Sequence, residues 1–271
     1  MKLNIVIAIL LFFSLKTNYL IGQKNNQVKH TISIFSGYTY YTTYEPILSS
    51  VRQSSTFLTT GFEYSKKNKE KHQLSFKLIL LPKTDLTSRL SNDGFRAPNK
   101  GEIFGGSFEF LYQKLLRKKG TYMYLGLHLN GVYLDKSLNV ISFDDARAVD
   151  LFLDLGPSFS ITKDLGKHQI KANLNLPFIG YVAAKTRNSE TFPFDLIERD
   201  KNIGTALQYG DIALINDYFN LNFNAEYSFK ITSRFLMGLQ YGFQYYDYKK
   251  EAPFNVQAIS YRFLLQAKYQ F

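Results

Sequence analysis

The sequence has no cysteine and no tryptophan. Lack of cysteine rules out disulfides, thiolate metal sites and a lipid-bearing cysteine anchor. Secreted soluble domains of this size often carry disulfides, so their absence favours a fold closed by backbone hydrogen bonds. Long apolar runs are scarce as well. The one such run covers residues 5–15, broken only by Ser14, and is too short for a comfortable membrane-spanning helix. Acidic residues are in deficit, with 22 Asp and Glu against 33 Lys and Arg, a formal net charge of +11. A basic chain can bind nucleic acid, but no recognition motif or basic helix accompanies this charge, and no nucleic-acid partner is expected. HExxH, phosphate-binding glycine loops and GxSxG are all missing, so no catalytic residue, metal or cofactor is assigned.

What is present begins with a targeting pattern. Lys2 gives a short basic start, residues 5–15 an apolar stretch, and residues 16–23 a more polar segment containing Gly22. Residues 1–23 therefore read as a secretory signal peptide, leaving 24–271 as one domain. Removing Lys2 and Lys16 lowers the charge from +11 to +9. Mean hydropathy is −0.19, yet Tyr and Phe number 20 and 24. Transmembrane barrels hide in such averages, because each apolar residue alternates with a polar one.

The final stretch shows that alternation. Ile259, Tyr261, Phe263, Leu265, Ala267, Tyr269 and Phe271 share one face, and Ser260, Arg262, Leu264, Gln266, Lys268 and Gln270 the other. A strand of this length crosses a bilayer when tilted. In this terminal strand, ending on Phe271, the chain resembles the outer-membrane β-barrel proteins of Gram-negative bacteria. The resemblance implies the cell outer membrane as location and a final strand read by the barrel-assembly machinery. It selects no subfamily.

Nine further strands alternate in the same way, near 30–42, 56–65, 72–81, 102–116, 121–134, 149–162, 168–181, 219–230 and 235–245. Pro82 is expected to end the third, and 182–216 to form the longest irregular loop. Short links alternate with long ones, as in an even-stranded barrel with both termini on one side. The expected fold is all-β, a transmembrane antiparallel up-and-down β-barrel of about ten strands, with eight or twelve as alternatives.

The polar face defines a candidate lumen charge network of Glu63, Lys77, Glu109, His128, Asp154, Lys171, Glu226, Arg262 and Lys268. Buried charges need partners, and strand counting sets Lys77 near Glu109 or Glu63, and Lys171 near Glu226. Tyr40, Tyr133, Tyr241 and Tyr245 fall near the outer strand ends, and Tyr64, Tyr112, Tyr227, Tyr269 and Phe271 near the inner ends. Together they form a candidate aromatic girdle at both interfaces. Omptin-like proteases place acidic and histidine groups at the outer rim, but no loop histidine accompanies the Asp144–Asp145 pair. The expected function is a non-enzymatic envelope barrel, either a narrow solute pathway or a surface-binding protein. The alternatives are a membrane-embedded lipid or peptide hydrolase and, more weakly, a soluble periplasmic binding barrel. Expected partners are outer-membrane lipids including lipopolysaccharide, the assembly machinery, and a candidate extracellular ligand at loop 182–216.

Overall fold

The computed structural model describes residues 28–44, 52–68, 71–88, 100–118, 120–139, 146–186, 210–249 and 255–271. The proposed signal peptide and the Asp144–Asp145 pair lie outside them. All described regular structure is strand: β1 (Val28–Tyr44), β2 (Gln53–Asn68), β3 (His72–Ser88), β4 (Lys100–Lys118), β5 (Tyr122–Asn139), β6 (Ala146–Leu165), β7 (His168–Asn175), β8 (Ile179–Thr186), β9 (Asp211–Leu214), β10 (Tyr218–Lys230), β11 (Phe235–Tyr248) and β12 (Val256–Gln270). Ten of them close an antiparallel ring in the order β5-β4-β3-β2-β1-β12-β11-β10-β7-β6, completed by the β5–β6 pairing. β8 carries the line of β7 onward along β6, and β9 pairs with β8.

The chain closes where its ends meet. His30 N donates to Phe271 O and Phe271 N to His30 O, each at 3.0 Å. The two rings stack with centroids 5.5 Å apart. At this turn end the strands are joined by short links, and Gly120 (φ 70°) and Gly166 (φ 66°) supply the left-handed residues two of them require. The longer connections all leave from the opposite, loop end.

Three sequence expectations need correction. Pro82 does not end the third strand, because β3 runs on to Ser88 through an irregularity between Leu81 and Thr84. A bulge is where a strand tolerates a residue with no N–H to donate. The seventh strand does not stop at Tyr181. It breaks after Asn175 and resumes as β8, with Leu176 N donating to Pro157 O and Phe178 N to Leu155 O, both at 3.1 Å. Three residues, 176–178, thus stand against the two of Gly156 and Pro157. Nor is 182–216 all loop, since its first residues belong to β8 and Asp211–Leu214 is β9. The sequence patterns missed these pieces because two prolines and a bulge interrupt the period of two on which they depend.

The strands of 16 to 20 residues in β1–β6 exceed the roughly 9–11 that cross a bilayer. The outer face divides accordingly. Toward the turn end it carries exposed Ile34, Leu80, Leu127, Leu239 and Phe263, an apolar belt that water would not solvate. Toward the loop end of β2–β4 it carries Thr56, Lys83, Asp85 and Glu102, with Lys83 Nζ 2.6 Å from Glu102 Oε2.

The inner face inverts this pattern. Level with the belt it is polar. Toward the loop end it packs an apolar cluster that includes Tyr41, Phe57, Leu86, Ile103, Phe152, Tyr218 and Tyr246, all buried. The bulge at Pro82 makes the inversion on β3. Lys77 and Ile79 point inward before it and Leu86 after it, while Lys83 and Asp85 point out. A one-residue slip exchanges the faces of a strand. At the loop end of β2–β4 a polar outer wall therefore backs an apolar interior, above a belt whose interior is polar.

Candidate functional site

The barrel interior is the candidate site, and it is layered from the turn end upward. At the turn end lies a cavity of about 100 Å³ lined by six lysines and three carboxylates, Glu63, Asp164 and Glu226. Above it is a second cavity of about 40 Å³, bordered by Lys77, Glu109, His128 and Asn224. The two share Glu63, Ser75, Lys171 and Glu226. The loop-end apolar cluster lies above both.

Each residue of the sequence-derived charge network can be placed. Lys77, Glu109, His128, Asp154, Glu226, Arg262 and Lys268 are buried, and Glu63 and Lys171 are half-buried. The register sets Lys77 opposite both Glu63 and Glu109, and Lys171 opposite Glu226. The ion pairs that close are different ones. Arg262 Nη2 lies 3.8 Å from Glu109 Oε1, and Lys268 Nζ pairs with Glu226 Oε1. Lys77 Nζ instead donates to Gln240 Oε1 at 3.3 Å and lies 5.0 Å from the centre of the Phe35 ring. Partners two or more strands apart meet in a bore this narrow, which counting along neighbouring strands does not foresee.

His128 stands apart. It is buried mid-barrel, and neither ring nitrogen has a hydrogen-bond partner. Asp154 is satisfied at one oxygen, its Oδ2 accepting from Asn130 Nδ2 at 3.1 Å, Tyr218 Oη at 3.0 Å and Asn220 Nδ2 at 2.8 Å. Beside it runs an amide and hydroxyl network in which Gln113 bonds Gln73, Ser158, Ser160 and Asn173. These uncharged groups fill space with satisfied polar atoms, as a small barrel interior requires.

Reasoning from the sequence missed the charge pair deepest in the fold. Lys136 Nζ and Asp150 Oδ2 lie 2.7 Å apart, both fully buried, within the loop-end core. Asp150 Oδ2 also accepts from Tyr246 Oη at 3.3 Å, and the Tyr246 and Tyr41 hydroxyls bond at 2.9 Å. The available signal was consecutive aromatics. Tyr40–Tyr41 and Tyr245–Tyr246 must each put one ring on either face of a strand. Just beyond β11, Lys249 pairs with Asp247 at 2.6 Å, and this contact raises the lysine pKa.

The girdle candidates all sit on the outward face. Tyr40, Tyr112, Tyr227, Tyr269 and Phe271 are exposed, and Tyr64, Tyr133, Tyr241 and Tyr245 are half-buried. Three histidines join them at the turn end. His30 Nδ1 bonds Tyr64 Oη at 2.8 Å, His168 Nδ1 bonds Tyr227 Oη at 2.7 Å, and the His72 ring lies 6.0 Å from that of Tyr112. Such pairs suit an interface where one end of the side chain is wet and the other dry. Among the described residues no group of three potential ligands could hold a metal ion.

No family model matches the chain, and no curated relative matches it. Solved structures do. The outer membrane protease OmpT from Escherichia coli is similar at 7% identity, over 92% of this chain and 98% of that one, with a TM-score of 0.52. The translocator domain of the autotransporter NalP from Neisseria meningitidis gives 8% identity over 100% and 98% of the two chains, with a TM-score of 0.44. At such identities a likeness is one of fold, and that fold is the Gram-negative outer-membrane β-barrel.

Proposed function

We propose that this outer-membrane β-barrel is a non-enzymatic envelope protein with a closed bore, whose loop-end half is a surface for binding. One observation carries the reading: the apolar core that fills the lumen at the loop end, with Phe152, Tyr218 and Tyr246 buried at its centre. The Phe152 ring lies 4.8 Å from that of Tyr246 and 5.6 Å from that of Tyr218. A water-filled path through this layer would need those rings to part. The polar outer wall of β2–β4 beside the core, including the Lys83–Glu102 pair, fits a part of the protein that stands clear of the lipid.

The placement of histidine weighs against a hydrolase of the omptin kind. The chain has four histidines. Three lie at the turn end and His128 is buried mid-barrel, so none joins an acidic group at the outer rim. The same reading assigns the partners. The belt meets outer-membrane lipids including lipopolysaccharide, the terminal strand engages the assembly machinery, and the segments between β8 and β10 carry the extracellular ligand contact.

Planar-bilayer recording of the purified chain tests the proposal. The expected record is a baseline without large steady conductance steps. A large, stable open level would overturn the closed-bore reading.

A further inference from the structure

We infer that the turn-end cavity is an oxyanion site of the phosphate class, entered from the periplasmic side. With the bore sealed above, this cavity can exchange ligand only through the turn end. Six lysines against three carboxylates leave its lining with a formal excess of three positive charges. Two of those carboxylates already have partners: Glu226 takes Lys268 and Ser228, and Asp164 takes Gln169. Lys171 therefore faces a carboxylate that Lys268 already holds. Lys66 and Lys230 complete the basic rim.

A second observation points to a ligand within the cavity. Thr162 lines it, is 2% exposed, and its hydroxyl has no hydrogen-bond partner. Buried hydroxyls without partners are uncommon. One placed among ammonium groups can donate to an oxygen that those groups attract. Size narrows the class. A cavity of about 150 Å³ holds one benzene, so a space of about 100 Å³ suits a group the size of a tetrahedral oxyanion. The phosphate can be free or can belong to a lipid headgroup at the inner-leaflet rim. Either presents the same oxygens to the lysines and to Thr162.

The test is calorimetric titration of the full, folded chain in detergent with inorganic phosphate, with ionic strength held constant by chloride. Saturable binding of one phosphate per chain is expected. Lys171→Met should weaken it about tenfold, the loss of one charge-assisted hydrogen bond, and Thr162→Val by about threefold to tenfold. Lys249→Gln, beyond the loop end, should leave the affinity unchanged. Each variant is first shown to keep the heat-modifiable migration of a folded barrel. Heats that do not saturate, or an affinity the same in wild type, Lys171→Met and Thr162→Val, would overturn the site. Repeating the titration in phospholipid nanodiscs separates the two sources. An unchanged affinity identifies free phosphate, and an affinity lowered by competition identifies the lipid headgroup. Because binding is read in detergent without any conductance, its failure is distinct from failure of the closed-bore reading.

Discussion

Lys136 and Asp150 form an ion pair, 2.7 Å apart and fully buried, at the loop end of the barrel. They face each other across the β5–β6 seam, two rungs apart in register, and the Tyr246 hydroxyl takes a further position on Asp150. Two charges in a hydrophobic core are costly to desolvate, and this pair offsets that cost only while both members remain. Removing one should be far worse than removing both. Asp150→Ala is expected to destabilise the folded barrel by about 3–5 kcal/mol, and Lys136→Met with Asp150→Leu by much less. Denaturant unfolding of the barrel in detergent, followed by heat-modifiable migration, checks the order. A double variant that loses as much as the two single variants added together would show that the pair is not coupled.

The boundary of the belt gives the second prediction. Leu239 is 57% exposed on the outer face of β11, among the apolar residues that meet lipid. Leu239→Arg should impair insertion, because a charge near the bilayer midplane costs roughly 2–4 kcal/mol. Thr56→Arg, on the outer wall near the loop end of β2, should fold within about 0.5 kcal/mol of wild type, as surface changes usually do. Folding yield into vesicles measures both. Equal impairment would mean that lipid reaches the loop end.

The broken wall between β6 and β7 gives the third. A Cβ added at Gly156 would meet Leu176 O and Pro177 Cα, each at 2.4 Å. Both are backbone atoms of the segment that bridges β7 and β8, so neither can move aside alone. Gly156→Ala should therefore cost about 1–3 kcal/mol, the usual penalty of overpacking. It should also raise hydrogen exchange at Leu176 and Phe178, whose amides bond across this gap. Unchanged protection at those two amides would show the bulge to be compliant.

The barrel was legible in the sequence wherever one face stayed apolar and the other polar. β10 is the plainest case: Phe219, Leu221 and Phe223 point out, and Asn220, Asn222 and Asn224 are buried inside. The charge network was legible for the same reason, since strand phase alone sends Glu109, Glu226 and Arg262 inward. The loop-end core was not. On β2 and β3 the polarity of both faces reverses there, so Leu86 and Phe57 fall out of phase with the apolar face that precedes them. Nor could the sequence show that Glu226 pairs with Lys268 rather than Lys171. That choice depends on side chains meeting over an intervening strand, β11, which pairing of neighbouring strands alone does not specify.

The core's role as a seal gives the last prediction. Phe152 packs between Tyr218 and Tyr246, and below this layer the interior is polar and already contains two cavities that share lining residues. Removing one ring leaves a cavity but keeps the layer, whereas removing two facing rings should join the polar space below to the loops above. Phe152→Ala alone is expected to cost about 3–5 kcal/mol of stability and to conduct no better than wild type. Phe152→Ala with Tyr246→Ala should open a small conductance. That conductance should depend on Arg262 and Glu109, since ions would then pass their pair and charged groups at a constriction govern permeation. Single-channel recording of the double variant, with and without Glu109→Gln, decides it. A double variant that folds and stays silent would place the barrier at another level of the barrel.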